Sequence, residues 1–380
     1  MRTSWDIFCH VVDNYGDAGV CWRLARQLAA EFDADVRLWV DDIETFNRLC
    51  ASDHGGISQT AANEIDGVLV HYWSAQWQPV ASADVVIEAF GCALPPAYIT
   101  AMAARNVQTL WLNLEYLSAE DWVAGCHGLP SLQANGLQKY FFFPGFSPTT
   151  GGLLREARLL QTRREFQRDG VAKAQFLSRI AVQPAPDASL VSLFCYENSA
   201  LASWLTAISE AERQHHILVP EGRVTKEVCA WLGLDSYTLG ECYVRGRVCL
   251  QFIPFLSQHD YDRLLWCCDF NVVRGEDSFV RAQWAGRPML WHIYPQQEDA
   301  HLVKLAAFLN LYSADLSADE KAVLMRRWQS WNSAEAPAVA GDQLFAGGLG
   351  AVRHAEQWCT SLEKQNNLAE LLVQFYRNWV

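Results

Sequence analysis

DIFCHVVDNYGDAGVCWRLARQLAAEFDADVRLWV, running from Asp6 to Val40, reads as strand, helix, strand. Its outer runs are short, apolar and rich in β-branched and aromatic residues, as buried strands are. Between them Cys21, Leu24, Ala25, Leu28 and Phe32 recur at three- and four-residue spacing, whereas Arg23, Arg26 and Gln27 fall elsewhere around the axis. One buried helix face follows. GVLVHYW, DVVIEAF and TLWLNLE continue the alternation through the first 120 residues, which predicts βαβ units and a parallel sheet.

Further along, SPTTGG, the charged helical stretch LLREARLLQTRREFQRDG and VQPAPDA interrupt the strand signal. A second alternating series follows in SLVSLFCY, HHILVP, VCLQFIPF, DFNVVR and PMLWHIY, with helical patterns such as HDYDRLLWCC and DSFVRAQWAG between the strands. The expected organisation is a Rossmann-like domain over 1–150, a connection over 151–187, a second Rossmann-like domain over 188–360, and a C-terminal helix over 361–380 packing back on the first domain. The fold class is α/β, with two doubly wound domains facing each other across a cleft. Ligands of open α/β sheets bind at the C-terminal strand ends.

Composition narrows the function. Half of the 380 residues are apolar and 16 are Trp, which fits a well-packed globular chain. Twelve cysteines without a CxxC pair read as reduced core residues of a cytoplasmic protein. Asp6 and Asp13 interrupt any N-terminal signal segment, and Glu88 with Pro95-Pro96 breaks the longest apolar region, so no membrane association is expected. A net charge of −13 argues against nucleic acid as a partner.

Two segments carry candidate chemistry. DNYGD, Asp13 to Asp17, lies between the first strand and the first helix, at the mouth of the expected cleft. It has only Gly16 and Gly19, lacks the dinucleotide fingerprint, and its carboxylates would repel a phosphate. Asp13 and Asp17 serve either as turn and N-cap residues or as a base and clamp for a cationic acceptor. NVVRGEDSFVRAQWAGRP places a strand end at Arg274, a tight turn at Gly275 and a helix start near Asp277 or Ser278. Free N–H groups and the positive dipole end at such a start suit a diphosphate, to which Arg274 can add a charge-assisted contact. Glu276 suits ribose hydroxyls or the reacting centre. The plainer alternative makes Asp277 or Ser278 an N-cap and Arg274 a surface ion-pair residue.

Phe194, Tyr196 and Phe255 are either core residues or stacking partners for a nucleobase, with Gln258 and Tyr261 as weaker candidates. His292 and His301 lack partners at ligand spacing, so no metal site is read. NLEYLSAEDWV, residues 113–123, is either an acceptor-facing loop with Glu115 and Tyr116 exposed or a strand end followed by a capped helix.

In order along the chain, DNYGDAGVCWRLARQLA, NLEYLSAEDWV, SLFCYEN and RGEDSFVRAQWAGRPMLWHIYPQ resemble the bacterial protein-arginine rhamnosyltransferases that modify translation elongation factor P. The resemblance implies a GT-B fold and an inverting glycosyltransferase that uses dTDP-β-L-rhamnose, with no metal or other cofactor. The implied acceptor is an arginine on the N-terminal domain of elongation factor P. Asp17 becomes the base and Asp13 its partner, facing the acceptor with Glu115 and Tyr116, while Asn14, Tyr15 and Gly16 adjoin the donor. Arg274, Gly275, Asp277 and Ser278 are placed on the diphosphate and Glu276 beside it. Phe194 and Tyr196 lie by the thymine, in a pocket completed by Phe255, Gln258 and Tyr261. Tyr15 and Tyr261 stand where Phe is expected to be common in the family. The competing readings are a nucleotide-sugar epimerase of the same architecture and a non-catalytic, nucleotide-regulated binding protein.

Overall fold

The computed structural model describes residues 2–12, 15–50, 63–74, 77–345 and 348–380. The chain forms two compact units, Met1–Ala157 with Glu363–Val380, and Arg158–Leu362.

Among the described residues the first unit is built on eight strands, β1 (Ser4–Cys9), β2 (Asp35–Val40), β3 (Asn63–Ile65), β4 (Val68–Tyr72), β5 (Val85–Ala89), β6 (Leu110–Leu114), β7 (Pro130–Leu132) and β8 (Gln138–Phe142). Their order is β3-β4-β2-β1-β5-β6-β8-β7. The six inner strands pair in parallel, and only the edge strands β3 and β7 run antiparallel to their neighbours. The sequence pattern predicted five of the six parallel strands and missed β8 and these short edges. Every residue of β5 and β6 is buried, as a sheet covered on both faces requires.

Helix Tyr15–Phe32 buries Cys21, Leu24, Ala25 and Leu28 completely. Arg23 and Gln27, which fall elsewhere around the axis, are buried as well. The end of the chain covers them. Gln27 Nε2 donates to the Arg155 carbonyl at 2.8 Å and to Asn367 Oδ1 at 3.4 Å, and Arg23 lies 3.7 Å from Glu156. Asn367 in turn caps helix Leu368–Trp379 through a reciprocal capping box with Glu370. The final helix is therefore fixed to the first by polar contacts that a periodicity reading cannot register.

The second unit carries β9 (Ser189–Leu193), β10 (His215–Pro220), β11 (Cys242–Arg245), β12 (Val248–Ile253), β13 (Phe270–Arg274) and β14 (Met289–His292), in the order β11-β12-β10-β9-β13-β14. All neighbours are parallel except β11. The stretch 151–187, expected as a connection, is mostly part of this unit. It forms helices Leu159–Arg168 and Gly170–Arg179, the second capped by Asp169, and delivers Phe176, Ile180 and Val182 to a core cluster with Leu190, Leu218 and Ile253.

In each sheet the chain steps outward from its first strand in both directions. β1 lies between β2 and β5, and β9 lies between β10 and β13. The loops leaving the C-terminal ends of β1 and β5, and of β9 and β13, diverge to opposite faces and leave a crevice in each unit.

Beneath the second crevice, Arg281 and Asp262 form a bidentate pair with contacts of 2.9 and 2.6 Å, tying helix Gln258–Cys267 to helix Asp277–Ala285. Their side chains are 2% and 5% exposed. Asp262→Ala strands a buried guanidinium and should cost roughly 3–5 kcal/mol. A urea titration of the wild type and the variant, followed by Trp fluorescence, checks this; an unchanged midpoint contradicts it.

Candidate functional site

Two residue clusters occupy the two crevices. In the first unit, β1 ends at Cys9 and helix Tyr15–Phe32 begins a few residues later. Asp17, in the first turn of that helix, is 3% exposed and accepts a hydrogen bond from the Val12 N–H at 2.9 Å. Its carboxylate is thereby held under the loop. Asp41, just past β2, accepts from the Val11 N–H at 2.9 Å and bonds the His10 ring. The Cys9 thiol is pushed far up by the adjacent Cys21 sulfur, then by burial, and further by the charges of Asp17 and Asp41. Two carboxylates therefore set a negative field at the end of the central strand. Asp41 was not foreseen, although it directly follows the predicted strand VRLWV.

The neighbouring loop adds shape. After β5, Phe90, Gly91 and Ala93 adopt left-handed φ values of 57°, 67° and 49°. Non-glycine residues rarely do so, and such positions concentrate at binding sites. Asn113 holds this turn by accepting from Gly91 N at 3.2 Å and donating to Glu115. Phe90 stacks on Tyr116 with ring centroids 4.5 Å apart. Glu115 and Tyr116, exposed in one of the two readings of this segment, are half-buried beside these partners. Beyond them Asp121 precedes helix Trp122–Cys126 without a side-chain cap. Tyr15 and Gly16 open helix Tyr15–Phe32, and the Tyr15 hydroxyl accepts from Arg48 at 3.2 Å. Asp13 and Asn14 lie outside the described residues.

In the second unit, β13 ends in Arg274, Gly275 turns with φ 59°, and helix Asp277–Ala285 begins. Ser278 is not its N-cap. Its hydroxyl accepts from the Arg274 N–H at 3.0 Å and donates to the Arg274 carbonyl, which closes the turn. Glu276 occupies the cap position, with no side-chain cap bond. Helix N-termini of this kind present N–H groups and a positive dipole end that suit an anion.

Arg274 is 5% exposed, so it is no surface ion-pair residue. Its guanidinium lies over the rings of Phe194 and Tyr196, 4.5 and 5.0 Å from their centroids, and makes one long contact to the Cys195 carbonyl at 3.5 Å. Among the described residues it has no carboxylate partner. A buried cation held by aromatic faces alone is electrostatically unfinished, and an anionic ligand would complete it.

Tyr261 packs on Phe194 at 5.5 Å, and its buried hydroxyl has no hydrogen-bond partner among the described residues. Burial pushes that phenol well above its usual range. Gln258 is buried and reaches Asp277 at 3.4 Å, while Phe255 is half-buried just before helix Gln258–Cys267. Arg274, Phe194, Tyr196 and Tyr261 thus converge, and Gln258 joins them through the helix start.

Three further residues belong here that the sequence reading did not place. Arg223 approaches the Tyr196 ring at 5.9 Å, and Tyr294 meets it edge-on at 5.5 Å. His292, at the end of β14, lies edge-on to Tyr196 at 5.3 Å with Nδ1 buried and unpartnered. The histidine had been weighed only as a metal ligand; its position at a predicted strand end was the usable signal.

The family model described as "Elongation-Factor P (EF-P) rhamnosyltransferase EarP" matches residues 5–377. A protein-arginine rhamnosyltransferase of Pseudomonas putida is 54% identical over 379 residues, with 100% of both chains covered. One from Neisseria meningitidis serogroup B is 36% identical, covering 95% of this chain and 89% of its own. A solved structure described as the structural basis for EarP-mediated arginine glycosylation of translation elongation factor EF-P superposes with a TM-score of 0.70 at 38% identity, covering 100% of each chain. Acinetobacter baumannii MurG, with a TM-score of 0.52 and 13% identity over 100% of both chains, shares the fold. The fold class is GT-B. Among the described residues no helix is long and apolar enough to cross a membrane.

Burial, then the charge of Arg274, then His301, lower His292 from 6.5 to about 3, so its ring is neutral in the folded protein. An unfolded chain binds that proton near 6.5, so folding excludes it between the two values. His292 therefore contributes acid sensitivity: stability is full above about 6.5 and is lost as the pH falls toward about 3. His292→Gln should flatten the dependence of the denaturation midpoint on pH across that window. A variant whose pH profile parallels the wild type contradicts the assignment.

Proposed function

Because the chain belongs to the elongation factor P rhamnosyltransferase family, we propose that it transfers L-rhamnose from dTDP-β-L-rhamnose to an arginine on the N-terminal domain of elongation factor P, with inversion and in the cytoplasm. It is a protein-arginine rhamnosyltransferase, a glycosyltransferase. What supports the finer reading is the family match over nearly the whole chain, together with a carboxylate cluster at one switch point and an uncompensated, aromatic-backed guanidinium at the other.

The acceptor sets the chemical problem. A guanidinium keeps its proton to roughly pH 12.5 or above, and a carboxylate with a reference pKa near 3.9 cannot remove it beforehand. About nine pK units, or roughly 12 kcal/mol, separate the two groups, so free guanidine does not accumulate. Proton loss must accompany C–N bond formation. In this reading Asp13 and Asp17 hold the guanidinium and aim one nitrogen at the anomeric carbon, with Asn14, Tyr15 and Gly16 shaping the approach. Asp17 accepts the proton as its acidity rises during attack. Glu115 and Tyr116 receive the protein acceptor.

On the donor side, Arg274 and the N–H groups from Gly275 to Ser278 meet the charge that develops on the departing diphosphate, with no metal ion in that role. The sugar passes through an oxocarbenium-like state, and attack opposite the leaving group inverts the anomeric centre. Phe194, Tyr196, Phe255, Gln258 and Tyr261 hold the thymidine, and Glu276 lies near the sugar.

Asp17→Asn keeps an oxygen able to accept from Val12, so the loop should survive while transfer falls by about 10²–10⁴-fold with nucleotide affinity nearly unchanged. Arg274→Ala should instead weaken dTDP binding by about 10- to 100-fold, the loss expected for a charge-assisted contact. Calorimetry with dTDP separates the two effects. Mass spectrometry of elongation factor P incubated with enzyme and dTDP-rhamnose reads transfer as a deoxyhexose on arginine. Full transfer by Asp17→Asn removes Asp17 from the base role, and an isomerised donor in the absence of acceptor favours an epimerase.

A further inference from the structure

At the opposite end of the second unit's sheet, three strands bring His216, Cys242 and Cys249 together. Register explains how. His216 of β10 pairs with Cys249 of β12, and across the antiparallel hairpin Cys249 pairs with Val244 and Gln251 with Cys242. Side chains two residues apart share a sheet face, so His216, Cys249, Gln251 and Cys242 all project to one side. The hairpin register is set by the two-residue turn Gly246-Arg247, where Gly246 has φ 59° and faces the Ser209 carbonyl with no room for a Cβ.

One ligand atom from each of His216, Cys242 and Cys249 lies within 4.8 Å of the others, and Cys242 Sγ is 3.9 Å from His216 Nε2. A tetrahedral zinc ion with Zn–S bonds near 2.3 Å holds its sulfurs about 3.8 Å apart. The side chains therefore need only a small contraction to close on such an ion. The environment also suits the ligand types. His216 is 2% exposed, with its ring held at the buried end of the hairpin face. Gln251 Nε2 donates to the carbonyls of Ala181 and Gly240, both at 2.7 Å, which fixes its Oε1 toward His216 Nε2 at 2.9 Å. Cys242 is exposed, leaving an entry route and room for a water.

We propose that His216, Cys242 and Cys249 form a binding site for a zinc-class divalent cation, remote from the donor crevice, that fastens the edge strand β11 to the sheet. The ion takes His216 Nε2, whose proton moves to Nδ1, and two thiolates, whose protons pass to solvent. Two thiolates balance the dipositive charge, and a water that can hydrogen-bond to Gln251 Oε1 completes the tetrahedron. The cation is structural, because β10 and β12 reach this end of the sheet at their first residues, whereas Phe194 and Arg274 stand at the C-terminal ends of β9 and β13.

Cobalt(II) is the probe. The full chain, reduced with a non-chelating phosphine and freed of metal, is titrated with cobalt(II) while the sulfur-to-cobalt charge-transfer band and the visible bands of a tetrahedral site are followed. One saturating equivalent, displaced by zinc(II), is expected. Cys242→Ser should weaken cobalt binding by more than about tenfold, since even losses one shell further out cost that much. The Cys242→Ser, Cys249→Ser double variant should lose the charge-transfer band while keeping the wild-type circular dichroism spectrum. Zinc should raise the melting temperature of the wild type and leave that of the double variant unchanged. The proposal is overturned if the wild type gives no sulfur-to-cobalt band, or if the double variant keeps it.

Discussion

A parallel strand pair cannot be closed by a tight turn; each strand must be followed by a crossover that returns the chain to the sheet's starting edge. Once crossovers leave to both sides of a first strand, a crevice opens beside it, where helix starts and strand ends converge. Both units obey this constraint, with β1 flanked by β2 and β5, and β9 flanked by β10 and β13. Asp17 follows β1, Phe90 follows β5, Phe194 follows β9 and Arg274 closes β13. The site residues gather there because the sheet order forces the chain to divide at those points.

The two crevices differ in sign, and the local backbone accounts for it. Asp17 and Asp41 accept hydrogen bonds from the loop N–H groups of Val12 and Val11, which holds both carboxylates at the end of β1. At β13 the turn is closed by the Ser278 hydroxyl on the Arg274 backbone, so the guanidinium is free to lie on Phe194 and Tyr196. A diphosphate would be repelled by the first arrangement and a guanidinium by the second. The first arrangement therefore suits a cation and the second an anion.

Much of this was legible in the sequence, for reasons that also mark its limits. Period-two and period-3.6 patterns are strong where one face is buried, and the central strands and helix Tyr15–Phe32 appear where DIFCHVV, VRLWV and DAGVCWRLARQLAAEF predicted them. The pattern fails where burial is polar. Arg23 and Gln27 are enclosed because Arg155, Glu156 and Asn367 satisfy them, and no local periodicity encodes a partner 340 residues away. Edge strands β3, β7 and β11 are too short to carry a period. Ser278 looked like a cap because caps and turn-closing hydroxyls draw on the same residue types. The His216, Cys242 and Cys249 cluster left no motif, since its ligands come from three strands and meet only through register.

The charge state of the second unit's crevice follows from the cost of burying an ion. An isolated ion in a protein interior costs several kcal/mol. At Arg274 no carboxylate among the described residues relieves that cost. Two aromatic faces at 4.5 and 5.0 Å offset part of it, each contributing about 2 kcal/mol when desolvated. An anion bound there would recover the remainder. A second buried cation would double the cost, which is why His292, pressed between Tyr196 and Trp331 in the field of Arg274, stays neutral. A fixed cation and an uncharged ring thus both pack against Tyr196 at this crevice.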